Sequence, residues 1–318
     1  MIGLDLKYLS GRKYSIDFGE NDPRWSLFIS AYNGSERVRS VFRRTQADRK
    51  LWVILSEYEY NPSHVSRLKD ALHCAPADSE SVVVKRILES VGQNAMLTAD
   101  VCIDITGFMR PHILCLLRLL DNIGVETISM LYTEPERYAR KEHTTFSKKE
   151  ITCVRQVHGY EGVHSDEMEN EVLLVGVGYD DALISRVIND KDSARLVQML
   201  SLPSLSADMY QESILRLDRT GTPDIASGAD VIFAPANDPF VIASELSAKV
   251  SEMKSSGKLG NLYLCPLATK PQALGFGLFY LRELSGEPAS VVFPFSRSYS
   301  QQTSTGLGRS WVYEIRLR

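Results

Sequence analysis

Apolar runs alternate with amphipathic stretches along the chain, and the same order of elements occurs twice. In the first half an apolar strand over residues 27–31 leads through a turn of small residues into a helix over residues 36–44. In the second half residues 173–177 lead in the same way into a helix over residues 182–188. Strands that alternate with helices predict mainly parallel sheets, because parallel neighbours need a crossover connection.

The later part of each half strengthens the case for duplication. A strand over residues 101–105 runs through a turn and Arg110-Pro111 into a helix over residues 112–120. Residues 262–265 lead through Lys270-Pro271 into a helix over residues 272–284. Proline is favoured there because its missing N–H needs no partner at a helix start. We therefore predict an α/β fold: a tandem duplication of a Rossmann-like unit with mainly parallel sheets and antiparallel edge strands.

The ends of the two halves suggest further strands and a domain boundary. Residues 1–18 are predicted to form a hairpin that turns at Ser10-Gly11, and residues 312–317 show the alternation of a half-buried strand at a sheet edge. Residues 151–157 and 311–317 predict one closing strand in each half. We predict a first Rossmann-like unit with an N-terminal β-hairpin over residues 1–157 and a second over residues 158–318, with residues 158–170 as the linker.

Composition narrows the class of protein. The 318 residues carry a formal net charge of -4, so no global basic field is present and no duplex nucleic acid is expected as a partner. No apolar run reaches the roughly 18 residues of a membrane span, and the N-terminus lacks a signal-peptide core. The five cysteines form no CxxC pair, which argues against a disulfide framework and a zinc ribbon. A cytoplasmic protein with no membrane partner is expected.

Complete nucleotide-binding and catalytic fingerprints are absent from the sequence. Gly176-Val177-Gly178 is not followed by the third glycine of a dinucleotide site, and the sequence has neither a Walker A motif nor a G-x-S-x-G elbow. His158 and His164 lie beside acidic residues, but their spacing fits no metal-ligand pattern. No metal site is predicted, and the sequence names no cofactor.

A ligand is expected beyond the carboxyl ends of the strands, where helix N-termini favour anions. Hydroxyls, glycine amides, carboxylates and two cations occur there in both halves. The alternative, in which threonine and aspartate cap helices, glycine makes turns and the cations are solvated, stays open. The candidate ligand-binding residues are Ser30, Tyr32, Asn33, Asp104, Thr106, Gly107 and Arg110 in the first half, and Gly176, Gly178, Tyr179, Asp180, Asn237, Asp238, Thr269 and Lys270 in the second.

Two of these turns, Asp104-Ile105-Thr106-Gly107 and Ala268-Thr269-Lys270-Pro271-Gln272, resemble pieces of the CARF family. That family carries a GTKPM-like stretch at its ligand site, where this chain has Ala268 in place of glycine and Gln272 in place of methionine, and Arg110 is displaced from the lysine position. Two such units in tandem resemble the SAVED arrangement. The resemblance implies a nucleotide second-messenger sensor in bacterial, antiviral defence.

The favoured function is a cytoplasmic module that senses a nucleotide-like anionic small molecule in a cleft between two pseudo-symmetric units. It would act through a protein partner. One alternative is an enzyme acting on a phosphorylated or nucleotide substrate, with Asp104 or Asp180 as acid or base and Arg110 and Lys270 stabilising negative charge. The other is a structural subunit of a larger complex.

Overall fold

The chain forms two compact α/β units, one of residues 10–148 and 298–318 and the other of residues 1–9 and 149–297. They are called the first and second unit below. The computed structural model describes residues 8, 10–138, 151–165, 169–206, 209–220, 230–301 and 304–318. No helix in these ranges is long and apolar enough to cross a membrane.

The first unit is built on a seven-stranded sheet. From one edge to the other its strands are β1 (Arg12–Ile16), β15 (Ser310–Arg316), β6 (Thr127–Thr133), β5 (Val101–Asp104), β2 (Trp25–Ala31), β3 (Ala47–Ile54) and β4 (Ala71–His73). Strands β2 to β6 are parallel, whereas β15 is antiparallel to both of its neighbours. The helices are α1 (Glu36–Arg44), α2 (Pro62–Val65), α3 (Glu80–Val91), α4 (Gln93–Thr98) and α5 (Arg110–Ile123), and Ser56–Tyr58 form a 3-10 turn.

The second unit has a six-stranded sheet. Its strands, again in spatial order, are β11 (Asp230–Ala234), β10 (Arg195–Ser201), β9 (Val172–Gly176), β12 (Leu262–Pro266), β13 (Ala289–Ser296) and β8 (Ile151–Gln156). Its helices are α6 (Asp181–Asp190), α7 (Met209–Arg219), α8 (Pro239–Ser255) and α9 (Lys270–Phe279), and α9 continues into a π-turn over Tyr280–Leu284. In the first unit, a separate two-stranded ribbon pairs β7 (Arg137–Tyr138) with β14 (Ser304–Thr305).

The two sheets have the same strand order, which confirms the predicted fold class. Strands β4, β3, β2, β5 and β6 correspond in order and direction to β11, β10, β9, β12 and β13. In each sheet an antiparallel strand follows, β15 beside β6 and β8 beside β13. The match covers the five parallel strands and the antiparallel strand next to them.

Each closing strand lies in the sheet of the other half of the sequence. Strand β8 follows the first half along the chain but pairs with β13, and β15 follows the second half but pairs with β6 and β1. Each unit therefore takes one strand from the far side of the predicted boundary between residues 157 and 158. Sequence order alone had placed each closing strand with the half that precedes it.

The C-terminal end of the chain also differs from the expectation of an edge strand. Strand β15 lies between β1 and β6, so the prediction of an edge strand over residues 312–317 is wrong: both of its sides are paired. In the predicted hairpin, residues 1–7 and 9 lie outside the described residues. Tyr8 groups with the second unit, where its hydroxyl donates to Glu283 Oε1 at 2.6 Å.

The central strands are mostly apolar, and residues on both of their faces are buried. Phe28 and Ile29 of β2, Ile103 of β5 and Leu174 of β9 have no exposed surface. The burial pattern is that expected for parallel strands inside a doubly covered sheet. Polar groups can therefore reach a ligand only beyond the strand ends, where the turns into the helices begin.

Candidate functional site

A buried carboxylate lies at the carboxyl ends of the strands in the first unit. Asp104 ends β5 and is 0% exposed. Its Oδ2 accepts a hydrogen bond from Ser30 Oγ at 2.8 Å, and its Oδ1 accepts one from Thr106 N at 2.9 Å. Thr106 Oγ1 accepts from Thr133 N at 3.0 Å. The predicted ligand residues Ser30, Asp104 and Thr106 therefore lie together, and their polar atoms bind one another and tie β2, β5 and β6.

Burial raises the pKa of the Asp104 carboxyl above its ordinary value. The hydrogen bonds from Thr106 and Ser30 and the nearby Arg37 guanidinium favour the ionised form and oppose that effect. Desolvation is the larger influence. The contacts of Asp104 give it a positioning role, because the groups that it holds form the turn between β5 and α5.

Replacing Asp104 by asparagine is expected to remove a pH-dependent loss of stability. With a raised pKa the folded state binds the proton more tightly. The wild type therefore loses stability as pH rises from the unfolded-state pKa of about 3.9 through the raised folded-state pKa. Asparagine does not titrate, and it keeps an acceptor for Thr106 N while its amide donates to Ser30 Oγ.

Urea unfolding of both proteins between about pH 4.5 and pH 7.5 tests this expectation. The free energy of unfolding of the wild type, relative to the Asp104→Asn variant, should fall as pH rises. A difference that stays constant across this range would show that the pKa of Asp104 is not raised.

Tyr58, which the sequence analysis did not select, joins two of the predicted loops. Its hydroxyl donates to Gly107 O at 2.8 Å and hydrogen-bonds with the Asn33 side chain. Burial raises the pKa of Tyr58 to about 12, so the hydroxyl stays protonated and able to donate near neutral pH. The sequence signal for it was a tyrosine four residues after the end of β3.

The Tyr32 ring lies in the interior and does not face the ligand site predicted beyond the strand ends. Its ring packs edge-on against Trp52 with centroids 5.3 Å apart, and Tyr60 Oη donates to its carbonyl oxygen at 3.2 Å. Tyr32 therefore orients the loop that carries Asn33, and the described contacts leave only an indirect role for its ring at the strand ends.

Helix α1 begins without a side-chain cap. Ser35 is the N-cap residue and only 3% exposed, yet its Oγ has no hydrogen-bond partner among the described residues. Asn33 Oδ1 accepts from Ser35 N at 2.9 Å and shapes the turn. Arg37 Nη1 donates to Thr133 O at 2.8 Å, while its buried Nε also has no partner in the described part of the chain. Sequence reasoning missed Ser35 and Arg37 because an N-cap serine and a first-turn arginine are ordinary helix residues.

Helix α5 also starts without a side-chain cap. Its N-cap residue is Met109, whose side chain makes no capping bond, and Arg110 follows with partial exposure. The Arg110 charge favours the ionised form of Tyr58 and so acts to lower the pKa of its hydroxyl, which burial raises. His112 Nε2, in the first turn, lies 3.5 Å from Glu57 Oε1. Two arginines therefore stand near two helix starts of one unit.

The second unit caps the corresponding helices with its own side chains. Asp180 accepts from a first-turn amide of α6 at 3.2 Å, and Thr269 does the same for α9 at 3.2 Å. Asp238 accepts from two first-turn amides of α8. The capping alternative that the sequence left open thus describes the contacts of Asp180, Asp238 and Thr269.

The two candidate glycines of the second unit lie where the backbone is crowded. A Cβ on Gly178 would overlap the carbonyl oxygen of Leu267, and one on Gly176 would overlap the side-chain amide of Gln272. That amide is buried and has no hydrogen-bond partner among the described residues. Gly178 is explained by the close approach of the turns after β9 and β12, and Gly176 by the first turn of α9 against the end of β9.

The other candidates of the second unit lie at the same strand ends. Tyr179 is partly exposed and its hydroxyl donates to Met209 O at 3.2 Å. Asn237 and Lys270 are partly exposed at the starts of α8 and α9. Their position agrees with the ligand site predicted beyond the carboxyl ends of the strands, and their role in ligand binding stays a prediction.

No protein-family model matches this sequence, and no curated protein matches it. The similarity of the two turns to the CARF family therefore stays a prediction. Within the described ranges, no group of three or more His, Cys, Asp or Glu side chains is placed to hold a metal ion.

Proposed function

We propose that the protein is a ligand-binding module whose first unit holds a phosphate or carboxylate where α1 and α5 begin. The observation that carries this proposal is the N-cap residue Ser35. Its buried Oγ has no hydrogen-bond partner in the described part of the chain, and α1 has no side-chain cap. An anion at this helix start would accept from the first-turn amides and from Ser35 Oγ together.

The duplication supplies a comparison within one chain. Ser35 corresponds to Asp180, since both are N-cap residues of the helix that follows the equivalent strands β2 and β9. The Asp180 carboxylate already accepts a hydrogen bond from a first-turn amide of α6, and it carries a negative charge. It would exclude a second anion from that helix start by competition and by repulsion. The duplicated position thus favours ligand binding in the first unit.

Two arginines supply the positive charge that such a site needs. Arg37 is anchored through Nη1 to Thr133 O, which leaves its buried Nε for a ligand. Arg110 stands partly exposed at the start of α5, beside Tyr58. An arginine can donate two parallel hydrogen bonds to a phosphate or carboxylate, so it binds these groups with defined orientation.

For the chemical identity of the anion, we keep the ligand class that the sequence predicts. A nucleotide-like ligand remains the favoured candidate, and signalling through a protein partner in bacterial, antiviral defence is part of the same proposal. Catalysis by Asp104 and a purely structural role stay alternatives. Both carboxylate oxygens of Asp104 accept hydrogen bonds from Ser30 and Thr106, which favours positioning over acid-base work.

Replacing Ser35 by aspartate tests the proposal most directly. The new carboxylate should cap α1 as Asp180 caps α6, and raise the stability by about 1 kcal/mol. It should also abolish anion binding, because its charge takes the place of the ligand. Calorimetric titration with inorganic phosphate and with a panel of nucleoside monophosphates measures binding, and urea unfolding measures stability.

A matched control adds the same charge at another helix of the same unit. Ser79 already caps α3 through its side chain, so Ser79→Asp should leave anion binding intact.

Arg110→Ala should weaken binding about 10- to 100-fold, the loss expected for one charge-assisted hydrogen bond. Lys270→Ala, at the corresponding start of α9, should weaken it less. Equal losses from both variants would support the joint site predicted from the sequence, and unchanged binding by Ser35→Asp would refute the proposed site.

A further inference from the structure

A second basic feature of the first unit lies along the face of α1 that carries Arg39 and Arg43. It is a groove of about 660 Å³ between α1 and the segment that precedes β4, and side chains of β3 form its floor. A groove of this size accommodates a compact small molecule. Its lining includes Arg39, Phe42 and Arg43 of α1, Lys50 and Trp52 of β3, and Lys69 before β4.

Three cations on two walls of the groove have no protein partner in the described part of the chain. Arg39 and Arg43 are exposed one turn apart on α1, and Lys69 is exposed on the opposite wall. No hydrogen bond or ion pair joins their side chains to any described residue. Unpaired cations that face each other across a groove attract an anion with charge at more than one point.

The other charges do not cancel this positive field. Asp48 is engaged by Arg24, whose Nε lies 3.0 Å from Asp48 Oδ1, so its charge is already matched outside the groove. Lys50 donates from Nζ to Phe42 O at 2.7 Å and to Arg43 O at 3.3 Å. It thereby offsets the negative carboxyl end of the α1 dipole, which would otherwise repel an anion. Asp70 is the remaining lining carboxylate.

The aromatic residues of the groove leave little ring surface for stacking a base. Trp52 is only 6% exposed. One face stacks on Phe42 with centroids 3.6 Å apart, and Tyr32 packs edge-on against it at 5.3 Å. Recognition in this groove therefore depends on charge more than on a flat aromatic group.

We propose that this groove binds a compact ligand with two or more linked phosphates, held by Arg39 and Arg43 on one wall and Lys69 on the other. A polyphosphate carries negative charge at several linked groups, which suits cations on two walls. Arginine suits phosphate because its planar guanidinium matches two oxygens. This site uses different side chains from the proposed anion site at Ser35, which lies one turn before Arg39.

Calorimetric titration of the full chain with inorganic tripolyphosphate and with a nucleoside triphosphate tests the proposal. The double variant Arg39→Gln/Arg43→Gln should bind tripolyphosphate about 10- to 100-fold more weakly. Lys69→Gln, on the opposite wall, should weaken it in the same direction. A double variant with the same loss of charge elsewhere, Arg12→Gln/Lys85→Gln, should bind like the wild type, because both side chains are exposed outside the groove.

Several outcomes would overturn the proposal. The arginine variant could bind like the matched control, or Ser35→Asp could abolish tripolyphosphate binding, which would place the ligand at the start of α1. A nucleoside triphosphate that binds more than about tenfold tighter than tripolyphosphate would reveal a base subsite and contradict recognition by charge. A short polyglutamate peptide that binds tighter than tripolyphosphate would make the groove a protein-docking surface. Loss of phosphate binding at Ser35 would leave this proposal untouched.

Discussion

A chain that ends at residue 309 is expected to lose the folded first unit and keep the second. Strand β15 follows the second half of the sequence, but it lies between β1 and β6 in the sheet of the first unit. Its Val312, Tyr313 and Ile315 side chains have no exposed surface. Each buried side chain of this kind contributes about 1.5–3 kcal/mol. Their loss is comparable to the whole stability of a domain, about 5–15 kcal/mol.

The tryptophans make this result measurable for one unit alone. All three of them, Trp25, Trp52 and Trp311, lie in the first unit, and Trp25 packs in one buried cluster with Val312. In the truncated chain the emission of Trp25 and Trp52 should shift to that of the unfolded protein. Hydrogen exchange should show lost protection in β2 and β5 and retained protection in β9 and β12.

A chain that ends at Leu317 keeps all of β15 and should behave like the wild type. The opposite pattern of emission and protection would contradict the expectation. If tryptophan emission stays native while β9 and β12 lose protection, the closing strand belongs to the second unit, as the order of the sequence suggests. Such a result would contradict the strand pairing described above.

Most of the fold was predictable because the signals for parallel strands are local. The apolar runs around Phe28 and Leu264, each followed by a turn and a helix start, identify strands that are buried on both faces. The exchange of β8 and β15 was not predictable in this way. The local pattern of each strand does not name the sheet that it joins, because the pairing partners lie far away in the sequence.

The candidate site was predictable in position but not in the role of each residue. Threonine and aspartate at helix starts suit a ligand or a cap equally well, so Asp180, Asp238 and Thr269 could not be classified from their type. Ser35 shows the converse problem. A serine before a helix predicts a cap, and only the three-dimensional contacts reveal that its hydroxyl makes no capping bond.

The glycines show why the repeat is hard to align. In the first unit Gly107, after β5, lies against Ala31 at the end of β2. In the second unit the glycine belongs to the opposite turn of the pair: Gly178, after β9, lies against Leu267, after β12. The same close approach of two turns is present in both units. A comparison of equivalent positions misses it, because either of the two facing residues can be the glycine.

Gly107→Ala is therefore expected to destabilise the first unit strongly. A Cβ at this position would overlap the carbonyl oxygen of Ala31 and lie 2.9 Å from its carbonyl carbon. Both of these atoms belong to the backbone of a buried strand, so no side-chain rotation relieves the overlap. The turn that carries Thr106 would have to move away from β2, which would also strain the bond from Tyr58 to Gly107 O. We expect a loss of about 3 kcal/mol or more.

Gly34→Ala is the matched control in the neighbouring turn. A Cβ on Gly34 meets no atom within 4 Å, and its φ does not lie in the left-handed region. Alanine should therefore be neutral, or stabilise by about 0.4–1 kcal/mol, because it lowers the entropy of the unfolded chain. Urea unfolding followed by tryptophan emission reports the first unit in both variants. A lower midpoint is expected for Gly107→Ala alone, and a Gly107→Ala midpoint equal to that of the wild type would show that the turns after β2 and β5 are not in close contact.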